Sequence, residues 1–505
     1  MRRLTLTGRD FTLRDLADVA HRQARVKVSP AARRAMAASR RVVDRAVARG
    51  DRAYGLTTGF GRFAEVSVPR EQLEPLQLNL VRSHAAGIGR PLSDEAVRAT
   101  MALRANALAR GFSGIRPGTV DKLLAMLAAD VLPVIPEQGS VGASGDLAPL
   151  AHLALALAGE GKARWKGRTL AASRALASAR LSPVTLGAKE GLALINGVQV
   201  SVAVGGLALE RALFLARVAD VTGAASLDAA RGSDAAFDPR VIAARPHAGA
   251  AASAANLRKL LAGSAIRESH RGCGKVQDNY ALRCMPQVHG AARDAFDHAR
   301  AVLETEMNSA TDNPLVFAKR GDIVSGGNFH GAPVGLVLDY AAIAAADLAS
   351  ISERRIEKLL NPALSDLPAF LIEEGGLHSG LMMAQVTAAA LVSENKILAH
   401  PASVDSIPTS ADKEDHVSMS PIAARKFAAI VQNLEWVLAI ELMVAFQAME
   451  FLRPLATSAP LERVRRAFRR AIPPWKEDRI LGADLEKARG FLQGTEIRSL
   501  AATLQ

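Results

Sequence analysis

Residues 139–150 read Gly-Ser-Val-Gly-Ala-Ser-Gly-Asp-Leu-Ala-Pro-Leu, with three glycines in the first seven positions. Glycine opens backbone conformations that other residues avoid, so this stretch is suited to an unusual local path. A phosphate-binding loop is one use of such a path. It fails here, because no Gly-Lys-Ser/Thr follows and the G-x-G-x-x-G order is absent. A nucleophile elbow is another. It requires G-x-S-x-G, whereas Ser144 is followed directly by Gly145 and then by Asp146. Two readings stay open. In one, the stretch is a glycine-rich loop leading into a helix that begins near Leu147. In the other, the main chain itself reacts. The Gly145 nitrogen attacks the Ala143 carbonyl, water leaves, and dehydration of Ser144 gives a methylidene-imidazolone whose exocyclic carbon was the serine Cβ. Such a ring is an electrophile, a function that ordinary side chains lack. Glycine suits the attack because no side chain blocks its approach. Serine suits the dehydration because it has a hydroxyl to lose.

Six further segments accompany this one. Residues 54–61 read Tyr-Gly-Leu-Thr-Thr-Gly-Phe-Gly, and 76–87 read Leu-Gln-Leu-Asn-Leu-Val-Arg-Ser-His-Ala-Ala-Gly. Residues 190–197 read Glu-Gly-Leu-Ala-Leu-Ile-Asn-Gly, and 276–283 read Val-Gln-Asp-Asn-Tyr-Ala-Leu-Arg. Residues 325–331 read Ser-Gly-Gly-Asn-Phe-His-Gly, and 406–416 read Ser-Ile-Pro-Thr-Ser-Ala-Asp-Lys-Glu-Asp-His. With 139–150 they resemble, in order and over nearly the whole chain, the motifs of the histidine and phenylalanine ammonia-lyase family. The resemblance implies an ammonia-lyase: the amine departs as ammonia while a base removes a weakly acidic β-hydrogen. It implies that Ala143, Ser144 and Gly145 form a 4-methylidene-imidazol-5-one autocatalytically, with no external cofactor. It makes Tyr280 the β-proton base and Tyr54 a proton relay near the amine. Free tyrosine ionises near pH ~10, so a base of this type needs positive charge or hydrogen bonds around it. Gly59 and Gly61 would let the Tyr54 loop close. Arg283, one helical turn after Tyr280, is the clamp for the substrate carboxylate, which a guanidinium matches bidentately. Asn196 would hydrogen-bond the ring or the carboxylate, Gln277 would support that region, and Phe329 would pack against the substrate ring. Asn328 and Asp146 are read as supporting residues.

The substrate reading rests on the positions expected to meet the side-chain ring. Phenylalanine-type members usually carry Phe-Leu, and tyrosine-type members His-Leu, where this chain has Ser83 and His84. Ser-His resembles the histidine type, and an imidazole does need a polar partner. Glu414 is the second clue, since a carboxylate accepts an imidazole N–H. L-Histidine, eliminated to trans-urocanate in histidine degradation, is therefore the expected substrate. A phenylalanine or tyrosine ammonia-lyase, or an aminomutase of the same family, is the nearest rival. Asn279, Met285, Asp412 and Lys413 depart from the histidine-type pattern. Lys413 stands where it could pair with Glu414 and disturb ring recognition. The resemblance further implies a homotetramer whose active sites draw on several chains.

These residues need long rigid elements to hold them. Ser93 predicts a helix start before Asp94 and Glu95, running to about Gly111. A second helix is predicted from Thr119 to before Pro133. Long helices are predicted over 189–219, 288–309, 334–360 and 421–452, each with apolar residues at helical spacing. Strand signals are few, around 4–7 and 323–325. The Gly/Ala stretch 247–255 is read as a flexible surface segment. The fold class expected is mainly α: an elongated bundle of long helices with a smaller mixed N-terminal region carrying the cofactor loop. A boundary is placed near 200, giving 1–200 and 201–505, with one long helix straddling it.

Composition agrees with this and narrows the alternatives. Aromatic residues make up only 4% of 505, and alanine and leucine dominate the apolar set, which favours close-packed helices over sheets. The net charge of +13 raises the question of nucleic acid. The basic residues are scattered, however, and lack the interleaved aromatics of a single-strand binding surface. An inactive scaffold or a basic nucleic-acid binder is the different-class alternative. The eleven histidines include no H-E-x-x-H pair, so no metal is expected. The only cysteines, Cys273 and Cys284, make no disulfide framework. The first ten residues lack a signal-peptide stretch, and charges such as Glu210, Arg211 and Asp339 interrupt the apolar runs. A cytoplasmic setting is expected, with a small amino acid as partner and neither membrane nor nucleic acid.

Overall fold

The computed structural model describes residues 1–505. It contains twenty-one α-helices and only short strands. The chain packs as two compact units, each assembled from three segments. The first comprises Met1–Glu210, Ala299–Asp339 and Pro401–Arg425, and the second Arg211–His298, Tyr340–His400 and Lys426–Gln505.

In the first unit, helix Asp94–Ala109 starts where the sequence says it should: Ser93 Oγ accepts the Ala96 amide at 3.2 Å. The side-chain cap satisfies one of the amides that a helix start leaves unpaired. From Ala96 to Ala109 every residue is buried, so this is a central helix rather than an amphipathic surface one. Helices Leu73–His84, Leu147–Leu157 and Glu190–Ile195 pack on one another. The strands are short. Arg2–Leu6 pairs in parallel with Ala24–Val28. Leu315–Phe317 pairs antiparallel with Asp322–Val324. The hairpin Lys162–Trp165 with Arg168–Ala171 turns at Lys166 and Gly167, both left-handed. Two successive positive φ angles match the twist of a tight hairpin.

One predicted helix is corrected. The spacing favoured a single helix over 189–219, but the structure has Glu190–Ile195 and then Gln199–Ala229. Between them Asn196 is extended (φ −89°, ψ 101°) and Gly197 adopts φ +153°. Apolar periodicity continues across the interruption and hides it. Glycine is the residue that makes it affordable.

In the second unit, two buried carboxylates organise the core. Asp220 accepts from Ser253 Oγ at 2.7 Å, Asn256 Nδ2 at 2.8 Å, His289 and Arg293. Glu441 accepts from Thr222, Ser226, Ser352 and Arg355. Buried charges persist only when paired and hydrogen-bonded in this way. The stretch 247–255, expected to be flexible surface, belongs instead to helix Ala248–Leu261. Its small residues let two backbones meet: a Cβ on Gly249 would lie 2.2 Å from the Gly290 carbonyl oxygen. Helices Ala332–Leu360 and Ser420–Glu450 are long and apolar enough to cross a membrane, yet their apolar windows are mostly buried inside the protein.

Candidate active site

The glycine-rich segment 139–146 is a loop closing onto helix Leu147–Leu157, and its path depends on its neighbours. Gly142 has φ +68°, and a Cβ there would strike Ser418 Oγ at 2.4 Å. Gly145 has φ +74°, and a Cβ there would lie 2.3 Å from the Gly197 carbonyl oxygen. At Gly145 the conformation and the backbone contact together exclude a larger residue, and at Gly142 a larger residue would be strained and crowded against two serine hydroxyls. Ser418 Oγ donates to the Gly142 carbonyl at 2.8 Å, and the Met419 amide donates to Val141 at 2.8 Å. The Asp146 amide donates to Gly197 O at 2.7 Å. Asp146 itself is fully buried and accepts from the Ser201 amide and Oγ, both at 2.7 Å. Desolvation pushes its carboxyl up to about 6, against the pull of those hydrogen bonds. Ala143 is buried among Val417 and Met419.

Three of the residues singled out from the sequence meet at Ser144. Asn196 Nδ2 donates to the Ser144 carbonyl at 2.8 Å. Ser144 Oγ donates to Glu414 Oε1 at 2.6 Å. The interrupted helix explains the first contact: its last turn ends at Asn196, and the extended backbone there turns the amide onto the loop. Asn196 Oδ1 is buried and pairs with no protein atom. Glu414 is held in turn. Thr409 Oγ1 donates to Glu414 Oε2 at 2.8 Å, and the two backbones bridge each other at 3.0 and 3.3 Å. Both carboxylate oxygens are thus engaged by hydroxyls, of Ser144 and of Thr409, rather than by the neighbouring Lys413. Three consecutive left-handed residues, Ser410, Ala411 and Asp412, carry the chain through this turn. A ring made from residues 143–145 fits these surroundings. A donor lies on the oxygen that would be its carbonyl, a carboxylate lies on the hydroxyl to be lost, and the attacking residue can only be glycine.

Other candidates of the first unit are held by ties of their own. The 325–331 segment carrying Asn328 and Phe329 is fastened by Gly331, whose amide donates to Gly142 O at 3.2 Å. His330 reaches the His416 carbonyl at 3.1 Å, and the two rings stack 5.7 Å apart. Tyr54 Oη accepts from the Gly61 amide at 3.2 Å, within its own loop, where Gly61 has φ +54°. That loop is tied to the asparagine-bearing helix through Gln77. Its Nε2 donates to Gly55 O at 3.2 Å, and its Oε1 accepts the Leu192 amide at 3.3 Å. Ser83 and His84 end helix Leu73–His84, with Ser83 Oγ donating to Leu80 O at 3.0 Å. His84 Nδ1 lies 2.8 Å from the same carbonyl, which can only accept, so Nδ1 donates to it.

Gln277, Tyr280 and Arg283 belong to the second unit. Tyr280 opens the short helix Tyr280–Arg283 and is 70% exposed. The Arg283 guanidinium lies over its ring face, 4.6 Å from the centroid, as the spacing of three residues suggested. Arg283 Nε is buried with no protein partner. Gln277 is exposed, while the adjacent Asp278 accepts the Ser233 amide at 2.6 Å.

The sequence reading passed over Gln77, Thr409 and Arg104. Arg104 is fully buried on helix Asp94–Ala109 and donates to the Asn196 carbonyl at 2.9 Å. A lone charged residue inside Met-Ala-Leu-Arg-Ala-Asn-Ala-Leu was the available signal, since an arginine there has no exposed face to occupy.

Comparison with known proteins places this arrangement. Residues 11–470 match the family model for aromatic amino acid lyases. The chain is 53% identical to a histidine ammonia-lyase of Koribacter versatilis, over 99% of this chain and 100% of that protein. The crystal structure of histidine ammonia-lyase from Trypanosoma cruzi superposes with a TM-score of 0.92 at 45% identity, covering 99% of this chain and 95% of that one. A tyrosine aminomutase from Streptomyces globisporus superposes with a TM-score of 0.94 at 36% identity, covering 99% of both chains.

Proposed function

This chain belongs to the aromatic amino acid lyase family, and from that premise we infer that it eliminates ammonia from L-histidine to give trans-urocanate. The observation that carries the reading is the junction at Ser144, where Asn196 and Glu414 converge on a loop whose residue 145 can only be glycine. The identity to histidine ammonia-lyases over the full length supports the substrate, together with His84 and Glu414.

A 4-methylidene-imidazol-5-one formed from Ala143, Ser144 and Gly145 supplies the electrophile for the substrate amine. The remaining work falls to side chains. Asn196 steadies the Ser144 oxygen, where negative charge collects. Tyr280 takes the β-proton and Tyr54 moves a proton at the departing amine. Arg283 holds the carboxylate, with Gln277 beside it. Glu414 accepts the imidazole N–H once the Ser144 hydroxyl is gone, and His84 offers its free Nε2 to the ring's other nitrogen. Phe329 packs on the ring.

The same reading assigns a cytoplasmic homotetramer with sites shared between chains and no metal. An apolar stripe supports self-association: Leu336, Tyr340 and Ile343 stand exposed at 59%, 49% and 47% on one face of helix Ala332–Leu360.

The test is a product assay with histidine, phenylalanine and tyrosine. Urocanate and ammonia from histidine are expected. Cinnamate, coumarate or a β-amino acid as the main product would move the chain to one of its sister activities.

A further inference from the structure

Helix Asp94–Ala109 is buried along its length, and an aliphatic residue is the default at its centre. Arg104 stands there instead, with no exposed surface. Its Nη1 donates to the Asn196 carbonyl at 2.9 Å and to Gln199 Oε1 at 2.6 Å. Gln199 Nε2 donates onward to Thr311 Oγ1 at 2.6 Å. Nε and Nη2 of Arg104 donate to no protein atom. Asp312, the acid whose charge acts on it, is already paired with the buried Lys189 at 2.8 Å. Burial pushes the Arg104 guanidinium down to about 10, which still leaves it charged at neutral pH.

A buried cation with orphaned donors is destabilising, and an apolar residue of similar volume would fold with less penalty. The charge sits at one telling place. It lies directly behind Asn196 and Gly197, which hold the 143–145 loop through Ser144 O and the Asp146 amide. A Cβ on Gly197 would lie 2.5 Å from Arg104 Nη1, so the backbone is pressed against the guanidinium.

We propose that Arg104 is a positioning residue for both maturation and turnover: it locks the Asn196–Gly197 backbone so that the Asn196 amide stays aimed at the Ser144 carbonyl. This rests on the function inferred above. During maturation the Gly145 nitrogen bonds to the Ala143 carbonyl carbon. The first water carries away the Ala143 oxygen with the amide hydrogens of Ser144 and Gly145. The second carries away the Ser144 hydroxyl and its Cα hydrogen. Both steps need the loop held in one geometry. During turnover, the positive field behind Asn196 favours the negative charge that gathers on the Ser144 oxygen.

Arg104→Lys and Arg104→Met, expressed as full chains, test this. Intact mass gives the fraction that has lost two waters, and histidine kinetics are expressed per matured chain. Arg104→Met is expected to keep wild-type helicity and oligomer size but to mature in only about a tenth of chains. Its kcat should fall roughly tenfold or more while KM stays within about twofold, the signature of an interaction felt in the transition state. Arg104→Lys keeps the charge but not the fork, and should fall between wild type and Arg104→Met. Complete two-water loss with wild-type kcat in Arg104→Met overturns the proposal. If that variant does not fold, Arg104→Lys decides. Incomplete maturation with unchanged KM supports the proposal, and full maturation with wild-type kcat overturns it. A wild-type chain that retains both waters would instead remove the electrophile on which the inference rests.

Discussion

Ser144 is where the chemistry concentrates, and its two partners have separable duties. Asn196 touches the carbonyl oxygen, so Asn196→Ala should lower kcat by about 100-fold or more, as loss of one preorganised donor does elsewhere. KM for histidine should change little, and steady-state kinetics decide it. A change confined to KM would mean that Asn196 only binds substrate. A second residue-scale expectation concerns an acid group that feels the charge of Asp146. Glu306 is pushed up to about 7 by burial and by the charge of Asp146. Its folded value lies above the ordinary carboxylate range, so the protonated form is the one the fold prefers. The stability it contributes is therefore full below pH ~4.3 and is lost as pH rises through about 7. Glu306→Gln should flatten that decline and raise stability at pH 8 by on the order of 1–2 kcal/mol, read from thermal unfolding at several pH values. An unchanged pH slope would contradict it. Much at this scale was legible. Ser144, Asn196 and Glu414 sit in recognisable segments, because their chemistry needs particular types at particular spacings. Gln77, Thr409 and Arg104 were not legible, because a polar residue's burial depends on segments far away in sequence.

Helices that are apolar on one face reveal themselves by spacing, and so the sequence located the elements Met285–Met307, Ala332–Leu360 and Ser420–Glu450 to within a few residues. The interruption at 196–198 and the hairpin at 162–171 escaped. In the first case an apolar period ran straight through, and in the second the strands were too short and polar to alternate clearly. The Gly/Ala stretch misled for a physical reason. A Gly/Ala run without large apolar residues shows no amphipathic spacing, yet alanine favours a helix and small residues permit the closest helix–helix approach once a partner exists. Gly290 marks such a crossing, since a Cβ there would lie 2.3 Å from the Ala250 nitrogen. Gly290→Ala should cost about 1–3 kcal/mol through overpacking, visible as a lower unfolding midpoint. A variant as stable as wild type would show that the two helices separate freely.

At the scale of the whole molecule, composition foretold a helical protein, but not that each unit would be drawn from three separate stretches of chain. Long-range packing leaves no local mark. The scattered positive charge is consistent with a solvated surface, and the exposed stripe at 336, 340 and 343 is where association should begin. If sites are shared between chains, Ser144→Ala and Tyr280→Phe chains, each inactive alone, should regain histidine turnover when co-expressed. Mixed oligomers without activity would confine each site to one chain. All of this depends on a main-chain electrophile. The most direct measurement is tandem mass spectrometry of the peptide spanning 139–150 from active wild-type protein. It should weigh two waters less than its sequence, with the loss mapped to residues 143–145 and absent from an inactive Ser144→Ala. An unmodified peptide from a preparation that still releases ammonia from histidine would contradict the account.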